Sequence, residues 1–197
     1  MTAEPLEPIR TRRLLLRCVA PTDAAATSTL MTSEISQRLA SWQFPFTAQM
    51  AATRIDLMRE MAFKGDALPL AIVTALGDEL AGWVTVTRDP KDARRGSFGY
   101  WLGVQHQGHG FMKEAAPVTL ALAFESMKLD VVEAGAQLDN VESFAVMRSC
   151  GMRMVGERML YAPARTRSEL CRFYEIEPSD VACGGGYSDH ASPKQRR

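Results

Sequence analysis

Apolar positions follow two rhythms along this chain, and the rhythm changes in the middle of its first half. The run RRLLLRC at 12–18, apolar and flanked by charge, predicts a first strand. Asp23 follows Pro21 and opens a stretch that predicts a helix to about Ser33. Met50, Ile55, Met58 and Met61 share one helical face and predict a helix over 47–63. Between the two, Trp42, Phe44 and Phe46 surround Pro45, which forbids a regular helix there.

From Pro69 onward the pattern turns β-branched. PLAIVT (69–74) and LAGWVTVT (80–87), separated by Gly77 and Asp78, predict a hairpin. DPKDARRG (89–96) predicts a polar turn, and SFGYWLGV (97–104) a third consecutive strand. The stretch VQHQGHGFMKEA (104–115) then leads into a helix over about 108–127. A strand over 131–137 follows, and a short helix over 141–150 is stopped by Gly151 at a natural C-cap position. Strands at about 153–161 and 169–176 complete the order. Strands and helices alternate only in the second half, so the expected fold is α/β (α+β), with a mixed sheet.

Length sharpens this to one domain, since 197 residues are too few for two comfortable ones. Acidic and basic residues balance at 23 each, so no global field draws nucleic acid or an anionic membrane. Cys18, Cys150, Cys171 and Cys183 are far apart and form no C-x-x-C pair, which fits reduced thiols. MTAEPLEPIR lacks the basic-then-apolar order of a signal peptide, and the longest apolar run, 115–124, is too short to span a membrane. A cytoplasmic, soluble chain is expected. After Glu177 the composition shifts to Gly, Ser, Pro and charge, which predicts a mobile tail. The expected organisation is an extension at 1–8, a domain at 9–177 and the tail at 178–197.

The glycine- and histidine-rich stretch has three readings. A metal site needs converging ligands, but His106 and His109 have no Cys or Asp at ligand spacing, and Glu114 is the nearest carboxylate. An ordinary strand-to-helix turn would use Gly108 and Gly110 simply to bend. An anion cradle has a stronger mechanism: a helix N-terminus presents unpaired N–H groups and a positive dipole end, and glycine lets backbone approach an anion. The stretch lacks both the Lys-Ser/Thr ending of a P-loop and the third glycine of a dinucleotide fingerprint.

Gln105, Gly108 and Gly110 match the Q/R-x-x-G-x-G/A motif of the GNAT acyltransferases. The context is more specific than the motif: GYWLGV before it, FMKEA and ALAF after it, then DNVESFAVMRSCGM at 139–152. That last segment resembles the Asn-x-x-Ser helix of the Rim-type ribosomal-protein acetyltransferases, and TRRLLLRCVAPTDA (11–24) resembles their opening strand and helix. The resemblance covers roughly residues 9–176. It implies a twisted, mostly antiparallel sheet with helices on both faces and a splayed strand pair that holds acetyl-CoA. The pantetheine arm would pair with Leu102, Gly103 and Val104, and the pyrophosphate would meet Gln107, Gly108, His109, Gly110 and Phe111, with Gln105 as the motif's first residue. Asn140 would bond the pantetheine arm and Ser143 would sit near the sulfur. Three features depart from the family: Met152 stands where an aromatic is usual, Pro117 falls inside the main helix, and the loop carries His where many relatives carry Lys or Arg.

The chemistry implied is acetyl transfer to a primary amine by direct attack, without an enzyme nucleophile or metal. Ser143 is the candidate donor to the leaving thiolate, although a serine there also serves local backbone. Asn140 is equally a helix cap. No carboxylate sits in mid-strand SFGYWLGV; Glu133, Glu157 and Tyr161 on the neighbouring strands read as solvated or packing residues before they read as a base, and water relayed by backbone carbonyls also serves. Trp42, Phe44 and Phe46 are candidate acceptor-pocket walls, with simple packing of the helix pair on the sheet as the commoner fate of aromatics. Glu114 complements the helix N-terminus and reads as structural. Arg88, Lys91, Arg94 and Arg95 read as a solvated loop, with contact to an acidic acceptor or the 3′-phosphate as the alternative. The expected acceptor is a protein N-terminal α-amine. A small amine (antibiotic, polyamine or amino acid) and a non-catalytic acyl-CoA sensor are the rivals, for a monomer or homodimer.

Overall fold

The computed structural model describes residues 7–181. Cys183 and most of the expected extension and tail lie outside the described residues. The elements are β1 (Ile9–Arg10), β2 (Leu14–Cys18), α1 (Ala24–Leu30), α2 (Ser33–Arg38), α3 (Ala48–Phe63), β3 (Ala67–Thr74) and β4 (Leu80–Asp89). They continue with β5 (Asp92–Leu102), α4 (Phe111–Met127), β6 (Val131–Gln137), α5 (Val141–Ser149), β7 (Arg153–Ala162) and β8 (Arg167–Ile176). One eight-stranded sheet runs β1-β2-β3-β4-β5-β6-β8-β7. Every neighbouring pair is antiparallel except β5 with β6.

Strand alternation divides the interior into two cores. On one face Leu14, Leu16, Leu70, Ile72, Val84 and Phe98 pack under α4 and α5, against Met112, Leu120, Phe144 and Met147. On the other, Ala71, Val73, Trp83 and Trp101 pack under α1–α3, against Leu30, Ile35, Ile55 and Met58. β3 contributes to both and is buried from Ala67 to Val73, which is why it reads as a continuous apolar run.

Four boundaries differ from the sequence reading. The helix expected over 23–33 ends at Leu30, and a second short helix over Ser33–Arg38 follows where none was expected. Asp23 does not cap with its side chain; buried, it takes a two-pronged bond from Arg17 at 2.7 and 2.8 Å and the Ala20 N–H at 2.8 Å. Thr32 then restarts the chain as the cap of α2, accepting the Ile35 N–H. The polar stretch 89–96 is mostly strand, because β5 begins at Asp92 and its charged side chains face water. At the other end β5 stops at Leu102, and Val104–His106 forms one turn of 3-10 helix instead of strand. Beyond Glu177, where a mobile tail is expected to begin, Pro178–Asp180 make a 3-10 turn and Val181 packs on the first core. α4 runs through Pro117 without interruption, and Met152 is buried where an aromatic is usual.

The feature that makes a site is the parting of β5 and β6. They pair only at Arg95↔Val131, Gly96↔Val132 and Ser97↔Glu133. Past Ser97, β5 continues on β4 alone and β6 continues on β8 alone.

Candidate active site

A cleft of about 990 Å³ occupies the opening between the parted strands. Its lining comes from both faces of the sheet. On the α4–α5 face it is bounded by Tyr100, Leu102, Gln107, Gly108, Gly110, Phe111, Lys113, Asn140 and Ser143. On the α1–α3 face it is bounded by Trp42, Arg54, Met58, Trp83, Trp101, Thr85, Thr87, Ser97 and Glu133. The cleft therefore passes through the sheet, with a half on each side.

The first half is a backbone surface. The Val104–His106 turn is closed by the His106 N–H on the Gly103 carbonyl at 2.8 Å and the Gln107 N–H on Val104 at 3.2 Å. Gly108 and Gly110 then take φ of 76° and 75°, a region side chains rarely adopt. The first helical bond of α4 is Glu114 N–H to Gly110 at 3.2 Å. The N–H groups of Gly108, His109, Gly110, Phe111, Met112 and Lys113 bond to no described residue. Six consecutive donors at the start of a 17-residue helix fit a diphosphate.

α5 closes this half. Asn140 caps it, its Oδ1 accepting the Ser143 N–H at 3.2 Å, so the cap reading holds, and its amide nitrogen bonds to no described residue. The Tyr100 hydroxyl donates to the Ser143 carbonyl at 3.1 Å, and burial raises the phenol above its usual range. The Ser143 hydroxyl bonds to no described residue. Gly103, Val104, Gln105 and His109 do not line the cleft; Gly103 is buried and bonds back to Ala81 at 2.8 Å.

Arginine and glutamate hold the loop from behind. Glu114 accepts the Arg13 N–H at 2.7 Å, Arg13 Nε at 2.8 Å and the Thr11 hydroxyl at 2.6 Å. Burial opposes its charge, but these bonds prevail and hold its carboxyl below the usual range. Arg13 Nη1 continues to the His109 carbonyl at 2.7 Å. Sequence pattern does not reveal this partner, because Arg13 lies on β2's approach, 96 residues from His109 in the chain.

The second half is a side-chain surface. Trp42 meets Trp83 at 5.3 Å and Trp101 at 5.4 Å, and Arg54 lies 4.3 Å over the Trp42 ring. Of the three candidate wall aromatics only Trp42 lines the cleft. Phe46 is buried behind it at 5.0 Å, and Phe44 is exposed outside it. The residues that sequence reasoning missed, Trp83, Trp101 and Arg54, lie on three different elements. Strand alternation was the available signal for the tryptophans: Trp83↔Trp101 is a cross-strand pair on the α1–α3 face.

Glu133 stands where β5 and β6 part, ion-paired with Arg158 and 3.6 Å from Arg95. Glu157 is engaged with Arg172 at 2.7 Å and Tyr161 is exposed, and neither lines the cleft. Arg94 pairs with Asp130, Arg95 with Glu175, and Arg88 with Asp66 at 3.4 Å, so those cations brace the fold. Among the described residues no cluster of His, Cys, Asp and Glu could hold a metal, and no helix is long and apolar enough to cross a membrane. Cys18, Cys150 and Cys171 are free thiols.

An open mixed sheet, split at its one parallel pair beside a glycine-bent helix start, defines a class of acyl-transfer folds. A family model described as the acetyltransferase (GNAT) domain matches residues 13–153. The chain belongs to the GNAT acetyltransferases and is an acetyl-transferring enzyme. It is 27% identical over 124 residues to the N-acetyltransferase p20 of Bacillus licheniformis, a protein itself uncharacterised; the match covers 62% of this chain and 70% of that one. It is 31% identical over 112 residues to the probable N-acetyltransferase YjcK of Bacillus subtilis strain 168, covering 56% of this chain and 62% of YjcK. Solved structures of the same fold include the ribosomal-protein-S5-alanine acetyltransferase of Vibrio fischeri, with TM-score 0.77, 19% identity and coverage of 89% and 98%. RimJ of Mycobacterium smegmatis, in complex with CoA-disulfide, has TM-score 0.75, 21% identity and coverage of 90% and 91%.

Proposed function

We propose that this enzyme moves the acetyl group of acetyl-CoA to a primary amine by direct attack in a ternary complex. The acceptor on this reading is a protein N-terminal α-amine. The observation that carries the proposal is the through-sheet cleft, which gives donor and acceptor separate entrances to one meeting point. The CoA complex of RimJ and the ribosomal-protein substrate named for the Vibrio fischeri neighbour support the two halves of the reading.

The donor brings an activated thioester. The N–H groups of Gly108 to Lys113 receive its diphosphate, and the amide nitrogen of Asn140 faces the pantetheine arm. The backbone at the end of β5, at Leu102, aligns that arm by strand-like pairing; Gly103, bonded back to Ala81, and Val104, in the 3-10 turn, take no part. Ser143 donates a hydrogen bond to the leaving sulfur, and the proton that the amine gives up, relayed by water, ends on the thiol, so the serine hydroxyl is unchanged by the turnover. On the other face Glu133, paired with Arg158, offers its remaining carboxylate acceptor capacity to the acceptor's ammonium, and water in the open cleft takes up the amine proton. The Trp42, Trp83 and Trp101 cluster walls the acceptor and excludes bulk water from the reacting carbon.

A thiol-release assay with acetyl-CoA against short peptides and small amines tests the proposal. Thiol appearing in step with N-acetylated peptide is the expected result. Thiol release only with small amines moves the acceptor class. Tight acetyl-CoA binding with no release on any amine makes the protein a sensor.

A further inference from the structure

We infer that Arg13, held by Glu114, is a positioning residue that presets the diphosphate loop before the donor arrives. The inference rests on the proposed diphosphate role of that loop. Arg13 is not among the residues that line the cleft, so it acts through the loop and not by contact with the donor.

The geometry begins with one peptide. A peptide unit is planar and trans, so its C=O and N–H point in opposite directions. Arg13 Nη1 holds the His109 carbonyl at 2.7 Å. That bond turns the Gly110 N–H, the other end of the same peptide, away from Arg13. Gly110 lines the cleft while His109 does not, as expected if this peptide shows its N–H to the cleft and its carbonyl to the arginine. Gly110 permits the turn by sitting at φ 75°.

The arginine is itself fixed. Its Nε bonds Glu114 at 2.8 Å and its guanidinium carbon lies 5.0 Å over the Phe111 ring. Glu114 also takes the Arg13 backbone N–H and the Thr11 hydroxyl, so three bonds tie β2's approach to the first turn of α4. The planar guanidinium thus grips a carboxylate with one nitrogen and a carbonyl with another, a geometry that lysine cannot copy. A bare glycine loop would lose entropy on ordering around an anion; a loop held from behind has already lost it.

The test compares two donors, acetyl-CoA and acetyl-pantetheine, which carries the same thioester but no phosphate. The readout is the ratio of their kcat/KM values in wild type, Arg13→Gln, Arg13→Lys and Glu114→Gln. The inference predicts that Arg13→Gln lowers this ratio at least about tenfold, the worth of one hydrogen bond to a charged group. It predicts that the loss sits in KM for acetyl-CoA, and that Arg13→Lys stays low. A smaller fall in the same direction is expected for Glu114→Gln, which carries the comparison if Arg13→Gln does not fold. A merely structural brace would weaken both donors in parallel and leave the ratio unchanged, which overturns the inference. Full recovery by Arg13→Lys also overturns it, since charge alone would then suffice. If wild type uses both donors equally well, the diphosphate reading of the loop has failed instead.

Discussion

The two halves of the cleft are built from different materials. The α4–α5 half is backbone: six unpaired N–H groups, two glycines at positive φ and the end of a strand. The α1–α3 half is side chain: three tryptophans, an arginine and a glutamate drawn from separate elements. Backbone geometry tolerates much change in sequence provided the glycines stay. Side-chain walls change freely while the fold persists. The first half therefore suits what all members of a family share, and the second what each member recognises for itself.

Each half also has its own brace. Behind the first, Arg13 and Glu114 join β2's approach to α4. Beside the second, Arg165 and Glu169 pair at 2.6 Å, and Arg165 reaches the carbonyls of Ser36 and Leu39 at 3.1 and 2.8 Å. That pair ties the β7–β8 turn to the end of α2, on the side of the sheet that carries Trp42.

Substitutions separate the halves most sharply where they touch one only. Gly108→Trp has the largest expected effect: acetyl-CoA affinity falls about a hundredfold or more by calorimetry, because φ 76° disfavours any side chain and the indole would sit among the donors. Ser143→Ala comes next, with kcat falling about tenfold and acetyl-CoA affinity nearly unchanged in steady-state kinetics. Glu133→Gln acts on the other half: KM for the amine rises several-fold, on the order of one charge contact shared with Arg158, while acetyl-CoA affinity is unchanged by calorimetry.

The smallest effect is on stability. Hydrogen bonds from Arg165, opposed by burial and aided by Gln137 and Arg167, hold the Glu169 carboxyl at about 2. A depressed folded value means the stabilisation is complete above the ordinary value of 4.5 and is lost as pH falls toward 2. Urea unfolding from pH 6 down to about 2.5 should show wild type losing more stability than Glu169→Gln, with the two curves converging at the acid end.

Much of the fold was legible because it depends on local pattern. The strand at 131–137 and the helix from Val141 have the bounds their apolar spacing predicts. The failures have physical causes. Residues 89–96 are polar because they are exposed, and an exposed hairpin is still strand. The break between α1 and α2 falls at Met31 and Thr32, where Thr32 caps a new helix, a polar position that apolar spacing does not single out. In the site, the glycine loop announced itself, since positive φ calls for glycine. Phe44 and Phe46 read as walls from their place between the first two helices, yet one faces water and the other packs behind Trp42. Trp83 and Trp101 join Trp42 only when strand pairing places them side by side.

The most direct test of a two-sided cleft is amide NMR of the wild-type protein titrated with acetyl-CoA and, separately, with an accepted amine. Acetyl-CoA should shift Gly108, Gly110, Phe111 and Ser143 and leave Thr85, Thr87 and the Trp42 indole nearly still, while the amine should do the reverse. Acetyl-CoA shifts confined to the α1–α3 face, or no shifts at all, would contradict the account.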